Sequence, residues 1–234
     1  MLTLKVLSLL LSYPEQETLD ALDELAAVVT KEQLLSATQQ AAVLDLIDSY
    51  RHVDLLTLQE NYVALFDRGR YLSLHIFEHV HGESRDRGQA MVNLLQMYEA
   101  FGFVITAHEL PDYIPLFLEF LSQQSITEAC ELLQDALPVL SLLGARLAER
   151  NSPLHIIFDV LVSFAGAAET LEAMRQQVAS EPPDDTLVHM DEIWEEEAVS
   201  FMAADNTCKS SDTTVSPMTI MSRHDYIQSQ NRSL

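Results

Sequence analysis

The sequence predicts an all-α, single-domain multi-helix bundle followed by a polar, disordered tail. Helix formers dominate nearly every window, and only 6 of 234 residues are glycine. Apolar residues recur at i, i+3, i+4 and i+7 in one segment after another. No alternating β-branched run reads as a strand. The length suffices to bury one substantial core, and an apolar share of 48% is ordinary for a globular chain.

Taken in order, residues 2–12 read as a buried helix that stops before Pro14, because the residue preceding a proline disfavours helical geometry. Residues 15–29 are amphipathic, with Leu19, Leu22, Leu25, Ala26 and Val29 on one face. A third helix runs from Lys31 or Ala37 to Tyr50. Thr57 and Glu60 fit a capping box for a fourth, whose face is Leu58, Tyr62, Leu65 and Phe66 and whose end is set by Gly69. A short helix over 73–80 precedes one starting near Ser84 or Arg85. That helix carries Met91, Leu94, Leu95 and Tyr98, with Gly102 placed to terminate it. Pro111 then fits the first turn of a helix bearing Ile114, Phe117, Leu118 and Leu121. Thr127 opens a long helix in which Pro138 should introduce a kink. Pro153 starts a helix that is apolar nearly all round, the pattern of a central core element. Residues 191–203 form a last, very acidic helix with Trp194 and Phe201. The sum is eight or nine helices in a domain over 1–203. Residues 204–234 lack periodicity and read as a disordered tail.

The net charge is −23. It argues against nucleic acid, whose phosphates it would repel, and against anionic membrane surfaces. It favours basic partners, which it would steer at long range. Cys130 and Cys208 give no disulfide framework and no C-x-x-C site. The apolar start MLTLKVLSLLLSYP has no basic leader region and falls well short of the roughly 20 residues needed to span a bilayer, so a cytoplasmic location without membrane insertion is expected.

Residues 57–102 hold the unusual chemistry. Arg68, Arg70, Arg85 and Arg87 lie there, with Gly69, Gly82 and Gly88, in two Asp-Arg-Gly triplets around a short apolar segment. His75, His79 and His81, with Glu78 and Glu83, raise a metal-dependent hydrolase as an alternative, although the order is not H-E-x-x-H and no cysteine lies near. The glycines match no phosphate-loop pattern and read instead as turns needing positive φ. The arginines are expected to pair with Asp67, Glu78, Glu83 and Asp86, pinning the loop. His79 and His81 read as cations at a helix C-terminus. No nucleophile–base set is marked, so binding, not catalysis, is the expectation.

FDRGR (Phe66 to Arg70), FEHVHGESRDRGQAMV (Phe77 to Val92) and ELPDYIP (Glu109 to Pro115) resemble the respiratory nitrate reductase delta-subunit family, the NarJ and NarW types of molybdenum-cofactor assembly chaperone. The resemblance is strong over 58–121 and looser over the rest of 2–202; WEEEAVSF (Trp194 to Phe201) also resembles that family's C-terminal helix. It implies an all-helical fold of the redox-enzyme maturation type and no enzymatic activity or cofactor of its own. It further implies a cytoplasmic chaperone that binds the apo catalytic (alpha) subunit of a membrane-bound nitrate reductase, including its N-terminal segment. Such a chaperone is needed for cofactor insertion and stays outside the finished enzyme, with molybdenum cofactor biosynthesis proteins as further partners. Candidate client-binding residues are Tyr62, Phe66, Asp67, Arg68, His79, His81, Glu83, Arg85, Asp86, Tyr98, Asp112 and Tyr113. Tyr113 stands where the wider chaperone group often has histidine after Pro-Asp, so a role for that histidine does not carry over.

Overall fold

The computed structural model describes residues 1–81, 85–105 and 109–181; the 203/204 domain boundary, Glu83, Trp194 and Cys208 lie outside these. Eleven helices are found among the described residues, and the single antiparallel bridge, His75 to Tyr113, is the only strand-like pairing there.

Helix α1 (Leu2–Leu11) buries seven of its ten residues. Its first two amides donate to Glu32, Leu2 N at 2.9 Å and Thr3 N at 2.6 Å, so a carboxylate from elsewhere satisfies groups no local side chain reaches. The amphipathic stretch expected over 15–29 is two helices, α2 (Gln16–Asp20) and α3 (Leu22–Glu32), separated at Ala21. Helix α4 (Ala37–Arg51) begins with a capping box in which Gln39 N donates to Ser36 Oγ and Ser36 N to Gln39 Oε1. Helix α5 (Leu55–Phe66) begins earlier than expected. Asp54, not Thr57, is its cap, accepting from Thr57 N at 3.0 Å and from Thr57 Oγ1 at 2.7 Å.

Helices α6 (Ile76–Val80) and α7 (Asp86–Ala100) follow. Gly88 lies inside α7, where no turn forms, and the chain bends around Gly69 without the positive φ expected there. Gly102 does have it, at φ +75°, and Phe103 N donates back to the Tyr98 carbonyl at 2.9 Å, as a left-handed helix end requires. Helix α8 (Ile114–Ser122) starts with Pro115 in its first turn; Pro111 lies in the preceding loop.

Helix α9 (Ile126–Glu149) is capped by Ser125 with Glu128 and runs on through Pro138. Residues 152–154 form a turn leading into α10 (His155–Phe164), so Pro153 precedes the first helical turn. Helices α9 and α10 approach so closely that a Cβ on Gly144 would stand 2.8 Å from Phe158 Cβ. Helix α11 (Thr170–Val178), which the sequence pattern does not announce, packs on α9.

The core joins two groups. Helices α1, α3, α4 and α8 pack together on one side, and α9, α10 and α11 on the other. Helix α4 meets α10, and α8 meets α9, to close the core between them. Helix α5 shares no extensive interface with any other described helix and buries only Tyr62 and Phe66.

Candidate functional site

Helix α6 is too short to hold itself: it is five residues long, and its cap residue His75 makes no side-chain cap bond. Asp112 holds it from across the fold. The carboxylate accepts from Phe77 N at 3.0 Å and from His75 Nδ1 at 3.2 Å, and the Asp112 carbonyl accepts from Ile76 N at 3.0 Å. Ile114 N donates to the Leu74 carbonyl at 2.9 Å to complete the bridge. Asp112 is fully buried, a position a carboxylate keeps only when it is paired. The hydrogen bond to Asp112 pushes the His75 ring upward in pKa, against the pull of burial.

Tyr113, next in sequence, shares a 2.9 Å hydroxyl–hydroxyl hydrogen bond with Tyr62 of α5. Tyr62 in turn packs on Phe66 at 4.9 Å and edge-on to Tyr13 at 5.4 Å. Tyr98 Oη donates to the Pro111 carbonyl at 2.8 Å. Burial pushes the phenols of Tyr62, Tyr98 and Tyr113 above their ordinary value, so they act as neutral hydrogen-bonding groups. Six residues therefore form one connected assembly linking α5, α6, α7 and the loop before α8: Tyr62, Phe66, His75, Tyr98, Asp112 and Tyr113. Tyr62, Phe66, Tyr98 and Asp112 are buried, so they shape the site from beneath.

The remaining candidates lie apart from this assembly. Asp67 and Arg68 are exposed where α5 ends, and Arg85 and Asp86 are exposed where α7 begins. Arg87 pairs with Glu78 at 3.2 Å, while among the described residues Arg68 and Arg85 form no ion pair, so these two do not take part there in the network expected. Glu83 lies outside the described residues.

The histidines do not converge. His75 faces Asp112, His79 Nε2 donates to the Ser73 carbonyl at 2.8 Å, and His81 packs against the Phe77 ring at 5.6 Å. Burial lowers the His79 pKa, so His79 is a neutral backbone-bonded ring rather than the helix-end cation expected. No described group of three or more His, Cys, Asp or Glu is placed to hold a metal ion, and the hydrolase alternative has no support.

What surrounds α5 was not legible residue by residue. A cleft of about 450 Å³ opens on one flank, walled by Val53, Leu58, Leu65, Pro153 and Leu154. A second, of about 460 Å³, opens on the other between Tyr13, Leu56 and Val63. Where α5 ends, Tyr71 meets the α9 arginines. Arg146 lies 3.8 Å over the Tyr71 ring, donates to the Tyr71 carbonyl at 2.9 Å and pairs with Glu181 at 3.2 Å, while Arg150 lies 5.2 Å from the same ring. Two arginines one helical turn apart in so acidic a chain were the signal available for this feature.

Residues 15–153 match the family model described as the nitrate reductase delta subunit, more than half of the chain. The chain belongs to that family. Its members include NarJ of Escherichia coli K12, a nitrate reductase molybdenum cofactor assembly chaperone, to which this chain is 42% identical over 214 residues, 92% of this chain and 90% of that one. Against NarW of the same strain the identity is 41% over 209 residues, 89% of this chain and 87% of that one. A solved Archaeoglobus fulgidus chain assigned to the redox enzyme maturation proteins aligns over 76% of this chain and 92% of its own, at 22% identity and a TM-score of 0.47, too loose a likeness to carry further argument. Within the family region lie the whole of α5, the Asp112 assembly and the whole of α9. No described helix is long and apolar enough to cross a membrane.

Proposed function

We propose that this chain is a system-specific assembly chaperone for a membrane-bound respiratory nitrate reductase. It binds the apo catalytic subunit, the N-terminal segment included, in the cytoplasm. It keeps that subunit open for molybdenum cofactor insertion, in concert with the proteins that make the cofactor, and leaves before the enzyme anchors at the membrane. The observation that carries this reading is the 42% identity to a nitrate reductase assembly chaperone sustained over 92% of this chain.

The geometry supports a binding role. Helix α5 stands as a ridge with an open cleft on each flank, and Tyr62, Phe66 and Tyr113 brace it from below. Apolar walls of this size suit the apolar face of a helical segment. The charge of −23 raises the rate at which a basic client is encountered, while the clefts supply short-range contacts. Asp67 and Arg68 are exposed where α5 ends, and Arg85 and Asp86 where α7 begins, so these four side chains are open to a client.

The test is capture of the tagged protein from anaerobic, nitrate-induced cells, together with the molybdenum content of nitrate reductase when the chaperone is deleted. The catalytic subunit should co-purify in its cofactor-free form, and deletion should leave the enzyme molybdenum-poor. Capture without any nitrate reductase subunit, with full molybdenum occupancy in the deletion, would overturn the reading.

A further inference from the structure

The fold shows, filled, how it holds one arginine. Arg146 lies 3.8 Å over the Tyr71 ring and pairs with the Glu181 carboxylate at 3.2 Å. The Tyr13–Leu56 cleft offers the same two groups, a tyrosine ring and a glutamate carboxylate, from Tyr13 and Glu60. Tyr13 is 43% exposed, and Glu60 is exposed. Among the described residues no cation lies over the Tyr13 ring, and Glu60 forms no ion pair. Tyr13 is fixed where it stands. Its ring meets Tyr62 edge-on at 5.4 Å, and Gln59, next to Glu60, donates to the carbonyl of Pro14 at 2.9 Å. Arg68 lines the same cleft but follows the C-terminal end of α5, whereas Glu60 lies in its first half. Roughly 10 Å of helix axis separates the two, more than the ~8 Å over which exposed charges act at physiological salt.

We infer that this cleft receives an arginine of the client, its guanidinium laid on the Tyr13 ring and paired with Glu60, while neighbouring apolar side chains of the client fill the Leu58–Leu154 cleft. The occupant is an amphipathic segment with a cation beside its apolar face. This rests on the chaperone reading and sharpens it. The net charge of −23 draws any basic chain, whereas Tyr13 with Glu60 fixes which residue of the segment is held, and where. A guanidinium suits the pair because it is flat enough to stack on a ring while its N–H fork meets a carboxylate. A volume of about 460 Å³ admits so long a side chain, and Leu56 and Val63 give its methylene stem an apolar wall. Because Tyr62 and Gln59 already hold Tyr13 and Pro14, little ordering of the ring is left for binding to accomplish.

Isothermal titration decides it. The probe is the synthetic N-terminal segment of the nitrate reductase catalytic subunit, with a series in which each Arg or Lys is replaced singly by Gln. The full chain is used as wild type, Tyr13→Leu, Tyr13→Phe, Glu60→Gln and the double variant of Tyr13→Leu with Glu60→Gln. Phe101→Leu, which changes an aromatic side chain that is 49% exposed but lines neither cleft, is the control. Tyr13→Leu should weaken binding about fivefold and Glu60→Gln about threefold, with thermal melting little changed. Tyr13→Phe, which keeps the ring, should recover most of the loss. The Glu60 effect should fade at about 1 M salt, as an exposed pair requires. One client cation should couple: its Gln form binds wild type weakly and loses nothing further against the double variant. Binding of both single variants within about 1.5-fold of wild type, no client cation that couples, or an equal loss in Phe101→Leu overturns the inference and leaves the chaperone reading standing. If the segment binds too weakly to measure, the full apo subunit is titrated against the same variants. If neither binds wild type, the chaperone reading falls and takes this inference with it.

Discussion

Replacing Asp112 probes the device that joins α6 to the rest of the fold. Asp112→Ala removes the acceptor of two hydrogen bonds, from Phe77 N at 3.0 Å and His75 Nδ1 at 3.2 Å. Hydrogen bonds to a charged group contribute about 1.5–3 kcal/mol each, and partial access of water to Phe77 and His75 discounts the sum, so the expected loss is about 2–4 kcal/mol. Asp112→Asn keeps the volume and one acceptor oxygen for Phe77 and should cost about 1–2 kcal/mol, most of it the lost charge opposite His75. The pH dependence separates the two effects. The His75 pKa is raised in the folded state, chiefly by Asp112, with Glu78 adding to the rise and Arg87 opposing it. Its stabilisation is therefore fully present below the unfolded value, near 6.5 for a histidine, and is lost as pH rises through the folded value. His79 has the opposite sign, because its folded pKa is lowered. Its contribution is present at higher pH and lost as pH falls, but it is common to both chains and cancels in their difference. Urea unfolding of wild type and Asp112→Asn at pH 6 and pH 9 should thus show a stability gap that narrows with rising pH. Amide exchange at Phe77 should accelerate in Asp112→Ala. A gap that stays level or widens toward pH 9, or an alanine variant within about 0.5 kcal/mol of wild type, would refute the account.

Two further substitutions test the fold at points where the structure gives a direction. Gly144→Ala places a Cβ 2.8 Å from Phe158 Cβ, an atom that cannot swing aside, so α9 and α10 must separate. The expected cost is about 1–3 kcal/mol, read as a lower Tm by calorimetry, and an unchanged Tm would mean the helices do not pack this closely. Asp54→Ala should lower the urea midpoint through loss of the α5 cap, and by more than Thr57→Ala does; the reverse order would restore Thr57 as the cap.

Features whose causes are local were legible in the sequence. The termination of α7 at Gly102 follows from one residue's freedom at positive φ. The apolar faces of α1, α9 and α10 follow from periodicity alone. Where the deciding partner is distant in the chain, local pattern misleads. Pro111 and Pro115 both suit a first helical turn, and what selects Pro115 is Asp112 turning inward to hold α6, a contact across 35 residues. Asp54 and Thr57 are both good caps, and they bond each other, so only the backbone geometry ranks them. The same limit governs the site. Tyr62, Phe66 and Tyr98 sit at helical spacing that a groove and a core share, and the structure buries all three.

Yet α5 carries a signal of its own, visible once its surroundings are known. Leu55, Leu56, Leu58, Tyr62, Val63, Leu65 and Phe66 give it far more apolar surface than the two residues it buries require. Leu56 is 65% exposed, and the walls of both flanking clefts are drawn from the surplus. A helix of that composition with no extensive interface to another described helix leaves apolar surface in water that a covering element would bury. A client segment that arrives and departs is such a covering element, and the uncovered ridge is the state in which the chain would wait for it.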